Sequence, residues 1–290
     1  LLKKINIKKE KNLTISYLGG LTYYISNFAT AMVRETRMYA FSTFFFLLAV
    51  YLFYKAFLSI PRKGLFKIRW LDVDFNIYCL SAGLISICIA YLTQPINILL
   101  GLGLILFFMI YSILKKNRGH FIFAVFLAVS GLLFAFKSFG TFNVLEILSE
   151  MSPTWSSVFT PLYYSILTVR NFPFVLLTAP LALYFLIKKR DIYIAYLSSI
   201  VISFWAFLSL QPAQHERYWQ NVIPLLIIIS VYVIILFYKE EKDKILRIIL
   251  TILIIFSSIF HVYLSIKEYT EIDTYTPHSI SIQKKLQFNY

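Results

Sequence analysis

Val222-Ile223-Pro224-Leu225-Leu226-Ile227-Ile228-Ile229-Ser230-Val231-Tyr232-Val233-Ile234-Ile235-Leu236-Phe237-Tyr238 runs without a single charge. A membrane-crossing helix needs about 20 mostly apolar residues, and this stretch approaches that length. Lipid offers the backbone no hydrogen-bond partner, so a run of this kind must be helical. Eight further stretches read the same way: 13–33, 38–57, 76–93, 96–114, 120–136, 172–187, 192–210 and 246–266. The first is the poorest, because Gly19, Gly20, Asn27 and several hydroxyls interrupt it. The expected fold is an all-α integral membrane bundle of about nine transmembrane helices, with interfacial helices in an outer loop. Residues 1–266 form the membrane domain and 267–290 an outer tail.

Composition agrees with that solvent. Of the 290 residues, 59% are hydrophobic, 18% aromatic and only 14% charged, against about 25% charged in soluble domains. A formal net charge of +14 is also what nucleic-acid binding would need, but the basic residues gather in short clusters between apolar runs. That is the pattern of cytoplasmic loops. Cys79 and Cys88 are nine residues apart in one apolar run. About 13 Å of helix separates them, which excludes a disulfide. The four histidines are scattered, so no metal-ligand cluster is visible.

Placing the Lys-rich start in the cytoplasm and crossing once per helix puts twenty of the 28 Lys and Arg residues on that side. The other eight are Arg34, Arg37, Lys137, Arg170, Arg217, Lys267, Lys284 and Lys285. This is a positive-inside bias, and it predicts a multi-pass protein of the plasma membrane. The outer face is then made of the turn at 34–37, a tight turn at Thr93-Gln94-Pro95, a long segment at about 137–171, and the turn at 211–221. Within the long segment, the stretch around 142–150 and the stretch Trp155–Val169 read as amphipathic helices lying at the interface.

No GxxxxGK loop, GxSxG elbow or HExxH motif occurs, so those routes to phosphate, acyl and zinc chemistry are not marked. Asp72-Val73-Asp74 has the D-x-D spacing of metal-diphosphate sites. Without a strand-helix alternation around it, it reads as a helix start whose acids suit the dipole. Helix interiors are almost free of charge, which counts against ion-coupled transport.

The charged residues outside the basic loops concentrate in two short motifs. Arg34-Glu35-Thr36-Arg37-Met38-Tyr39 and His215-Glu216-Arg217-Tyr218-Trp219 each precede a long apolar run. Arginines and tyrosines there can be plain interfacial anchors. Arginine also forks onto phosphate oxygens better than any other side chain. The motifs therefore offer Arg34, Arg37, Arg217 and Tyr218 as ligands for a lipid phosphate. Glu35, Glu216 and His215 are candidates for proton transfer.

The stretch Val33–Phe41, followed by Leu47-Leu48-Ala49-Val50-Tyr51-Leu52-Phe53-Tyr54-Lys55-Ala56, resembles a segment of GT-C type membrane glycosyltransferases, the protein O-mannosyltransferase and aminoarabinose transferase group. His215–Trp219, with Pro224 following, is similar to a motif before a late helix in the same superfamily. The resemblance implies a polyprenyl-phosphate-linked sugar as donor and a lipid, glycan or protein acceptor on the outer face. It implies no nucleic-acid partner, and a divalent metal is conceivable although no ligand cluster is seen. It also implies a catalytic aspartate in a first outer loop. Asp273 is the only aspartate expected outside, so the chain is expected to be a fragment whose catalytic loop lies before Leu1. A transporter or flippase of a lipid-linked precursor, and a glycan polymerase or ligase of the O-antigen kind, are the alternatives.

Overall fold

The computed structural model describes residues 37–61, 63–69, 71–131, 160–209, 219–241 and 243–273. Among these the chain is mostly helical. In order it forms α1 (Arg37–Phe57), β1 (Leu65–Ile68), β2 (Val73–Asn76), α2 (Ile77–Thr93), a 3-10 turn (Pro95–Ile98), α3 (Leu99–Lys115), α4 (Arg118–Gly131), α5 (Thr160–Asn171), α6 (Pro173–Ile187), α7 (Ile192–Ser209), α8 (Ile223–Glu240) and α9 (Lys244–Asp273).

Among the described residues, four spans are long and apolar enough to cross a bilayer: Ala40–Phe57, Pro95–Lys115, Ile192–Ser209 and Ile223–Glu240. A fifth is available if Tyr163–Val169 and Pro173–Ile187 count as one broken span, bent by 108°. The chain is thus a multi-pass membrane protein with four or five spans, not nine, among the described residues. Two causes are visible. The stretch 76–93 folds as a helix of 17 residues, about 25 Å long, short of a hydrocarbon core of about 30 Å. The stretch 172–187 folds as 15 residues because the backbone breaks at Phe172 and restarts at Pro173, where a missing N–H costs nothing. The stretch 246–266 lies inside the 30-residue α9. The stretch 13–33 lies outside the described residues.

The all-α expectation also needs correcting. Strands β1 and β2 form an antiparallel hairpin with Leu65 opposite Asn76, Phe66 opposite Phe75, Lys67 opposite Asp74 and Ile68 opposite Val73. Asp72 and Asp74 belong to this hairpin rather than to a helix start. Lys67 Nζ lies 2.7 Å from Asp72 and 3.8 Å from Asp74. The cap of α2 is Asn76 instead. Its Oδ1 accepts from Cys79 N–H at 2.9 Å, and its Nδ2 donates to the Lys63 carbonyl at 2.6 Å. One amide therefore closes the hairpin and opens the helix.

Packing is antiparallel between α1 and α2, α1 and α7, and α3 and α7. Gly103 permits the last: a Cβ there would lie 2.8 Å from Ile200 Cα. Phe46 meets Phe204 edge-on at 5.4 Å, and Tyr196 donates to the Val50 carbonyl at 2.7 Å. Helices α6 and α8 run parallel, joined by Thr178 and Ser230 hydroxyls 2.7 Å apart.

These directions give the bundle two chemically different ends. Thirteen Lys and Arg side chains are described: Lys55, Lys63, Lys67, Arg69, Lys115, Lys116, Arg118, Lys188, Lys189, Arg190, Lys239, Lys244 and Arg247. All lie at the end where α1 and α3 finish and α2, α4 and α7 begin. This basic end also holds Asp191, whose Oδ1 caps α7 through the N–H groups of Tyr193 and Ile194 at 2.9 and 3.0 Å.

A buried amide network as the candidate site

The opposite end has no described acidic side chain. It is closed by neutral amides and hydroxyls drawn from four chain segments. Ser42 and Thr43 stand on the first turns of α1, and Gln94 caps the C-terminus of α2. Asn97 sits in the 3-10 turn, and Gln220 and Asn221 immediately precede α8. All six are buried, with Asn97, Asn221 and Ser42 fully so.

Five of them, all but Gln220, are joined in one connected network. Asn97 Nδ2 donates to Ser42 Oγ at 2.7 Å and to the Ala90 carbonyl at 2.9 Å. Ser42 Oγ donates to Gln94 Oε1 at 3.3 Å. Asn221 Nδ2 donates to Gln94 Oε1 at 3.3 Å and to Asn97 Oδ1. Thr43 Oγ1 joins the ring by donating to Asn221 Oδ1 at 2.6 Å. The Ala90 carbonyl that Asn97 reaches also accepts the Gln94 N–H at 2.9 Å and the Thr93 hydroxyl at 2.8 Å, so the network is anchored on the last turn of α2.

Two polar atoms are left over. Gln94 Nε2 and Gln220 Oε1 are buried without a hydrogen-bond partner. A lone buried donor or acceptor costs about 1–3 kcal/mol, so each is a place where a neutral polar ligand or water gains a bond. The site chemistry is hydrogen bonding to hydroxyl and carbonyl groups, without charge.

Trp219 joins this end to α5. Its Nε1 donates to Thr168 Oγ1 at 2.7 Å, and its ring lies against Tyr164 at 5.3 Å. Trp205 on α7 donates to Ser165 Oγ at 3.1 Å. Helix α5 is therefore held across its neighbours by two indoles.

Of the residues singled out in the sequence, Arg37 is the first residue of α1. Arg34, Glu35, His215, Glu216, Arg217 and Tyr218 lie outside the described residues, as does the stretch 142–150. What the structure does bring together are the residues that follow each motif directly. Thr43 comes six residues after Arg37, about 9 Å along a helix. Four peptide units, at most about 15 Å of chain, connect Arg217 to Asn221. The network itself was not marked by the sequence, which showed only a turn at 93–95. The spacing Gln94-Pro95-Ile96-Asn97 and the pair Gln220-Asn221 after Trp219 were the available signals.

Among the described residues, no group of three or more His, Cys, Asp or Glu is placed to hold a metal ion. Compared with protein-family models, curated proteins and solved structures, the chain matches none.

Proposed function

We propose that the chain acts as a membrane glycosyltransferase of the GT-C type, moving a sugar from a polyprenyl-phosphate carrier to a lipid, glycan or protein acceptor. The single observation carrying this reading is the Thr43–Asn221 hydrogen bond. It ties together the two helix starts that the Arg-Glu-Thr-Arg and His-Glu-Arg-Tyr motifs lead into. Two arginine motifs leading into helix starts held together in this way suit a diphosphate or phosphate with a long apolar tail. On this reading Arg34, Arg37, Arg217 and Tyr218 hold the lipid phosphate. Glu35, Glu216 and His215 assist proton transfer, and the amide network hydrogen-bonds the sugar hydroxyls. The amide end then faces outward, opposite the basic end.

The test is sugar transfer from a polyprenyl-phosphate donor by membranes expressing the gene. Arg37→Ala and Arg217→Ala are expected to raise the donor KM or abolish transfer, each removing a charge-assisted bond worth about 1.5–3 kcal/mol, roughly 10- to 150-fold. Rates equal to wild type in both variants sink the phosphate assignment.

The bent α5–α6 pair supports a second reading, a transporter or flippase of a lipid-linked precursor, since discontinuous helices mark many transporters. The described spans hold no charged residue away from their ends, which favours the transferase. Vesicle uptake of the lipid-linked sugar without covalent transfer would decide for the second reading.

A further inference from the structure

We propose that the groove between the β1–β2 hairpin and α4, at the basic end, binds one anionic phospholipid. Its volume is about 420 Å3, and Phe66, Ile68, Leu71, Phe123 and Phe126 supply apolar walls beside Lys67 and Arg69.

The groove is a fixed feature. Leu71 and Val73 of the hairpin are 2% and 1% exposed. The first turn of α4 sits directly on it: a Cβ on Gly119 would come within 1.6 Å of the Leu71 carbonyl oxygen. Yet Phe66 and Phe126 on its walls stay 55% and 61% exposed. Exposed Phe121, Ile122, Val125 and Val129 continue that apolar surface along α4. An acyl chain has a place to lie without any rearrangement.

Charge selects the headgroup. Lys67 is engaged by Asp72 at 2.7 Å. Arg69 has no ion-pair partner among the described residues, and its guanidinium can fork onto a phosphate. Lys115, Lys116 and Arg118, all exposed, flank Gly119 in sequence and raise the local positive potential. A phosphate on Arg69 with a tail over the phenylalanines fits both halves of the groove. An acidic peptide would use only the first.

The experiment places the purified full chain in nanodiscs with spin-labelled phosphatidylglycerol or phosphatidylcholine and reads the motionally restricted fraction. Phosphatidylglycerol should be preferred. Arg69→Gln should cut that preference about fivefold, the effect of one basic residue near an anionic surface. Phe126→Ala, on an exposed wall, should shrink the restricted fraction for both lipids. Lys188→Gln, at the same end but outside the groove, should change neither. Equal losses in Arg69→Gln and Lys188→Gln would mean diffuse surface charge and overturn the site. So would no preference between the lipids, or displacement of the labelled lipid by an acidic peptide.

Discussion

Replacing Asn221 by alanine should unlock the amide end. Asn221 is fully buried, and its side chain makes three hydrogen bonds: one accepted from Thr43, and two donated, to Gln94 and Asn97. Side-chain hydrogen bonds between membrane helices average about 0.6 kcal/mol, with a ceiling near 1.7. Three of them therefore contribute roughly 2 kcal/mol. The orphaned Asn97 Oδ1 adds an unsatisfied-group cost of about 1 kcal/mol or more. Loss of some 2–4 kcal/mol is expected, read as equilibrium unfolding in mixed micelles by circular dichroism. Thr43→Val, close to isosteric, removes one bond and should cost about 1 kcal/mol. The double variant then tests the pairing itself: a coupling energy near 0.6 kcal/mol or above is expected for groups in contact. If Asn221→Ala costs less than about 0.5 kcal/mol, the value of an ordinary surface change, the network does not hold the helix starts together. Additivity within error in the double variant would refute the Thr43–Asn221 bond even if each single change is costly.

Other outcomes follow from packing and charge. Gly103→Ala should destabilise by about 1–3 kcal/mol in the same unfolding assay, because a Cβ meets Ile200 Cα at 2.8 Å and the helices must separate. Gly101→Ala on the same helix has nothing within 4 Å and should be neutral or gain up to about 1 kcal/mol of helix propensity. In the hairpin, the Lys67 hydrogen bond and charge hold the Asp72 carboxyl below its ordinary value of 3.8. A depressed folded value stabilises above the ordinary range and fades as pH falls through the lowered one. Hydrogen-exchange protection of the Val73–Asn76 amides, taken relative to the intrinsic rate at each pH, should therefore fall on acidification below about pH 4, and Asp72→Asn should flatten that dependence. Lys67 is raised by the same partner, so its share persists at neutral pH and is lost only at strongly alkaline pH.

The long apolar runs were legible because burial in lipid forces one backbone solution. Four of them, around 38–57, 96–114, 192–210 and 222–238, appear as spans with ends shifted by a few residues. What was not legible depends on the chain meeting itself. Strands of four residues give too short an alternation to separate from a basic loop, so the hairpin was missed and Asp72-Val73-Asp74 was assigned to a helix. Apolar composition also counts 172–187 and 76–93 as full spans, since it is blind to a backbone break at Phe172 and to a cap at Asn76. Trp219 carried the opposite difficulty: it stands in a charged motif, yet it is 2% exposed and bonded to Thr168.

The amide network was hidden for a deeper reason. Each member is one polar residue in an apolar neighbourhood, and singly such residues are unremarkable. Together they satisfy one another in a buried place where α1, the end of α2 and the start of α8 meet. Charged side chains could have filled the same role only at a desolvation cost of several kcal/mol each, so neutral amides are the economical closure. The same logic separates the two ends. The basic end keeps its thirteen described cations beside water and headgroups, where they remain solvated. The described side chains of the amide end are neutral, so on the proposed function a charge that the arginine motifs bring there is matched by the ligand. On that reading an anionic group with polar, uncharged neighbours, such as a sugar phosphate on a lipid, meets both requirements at once.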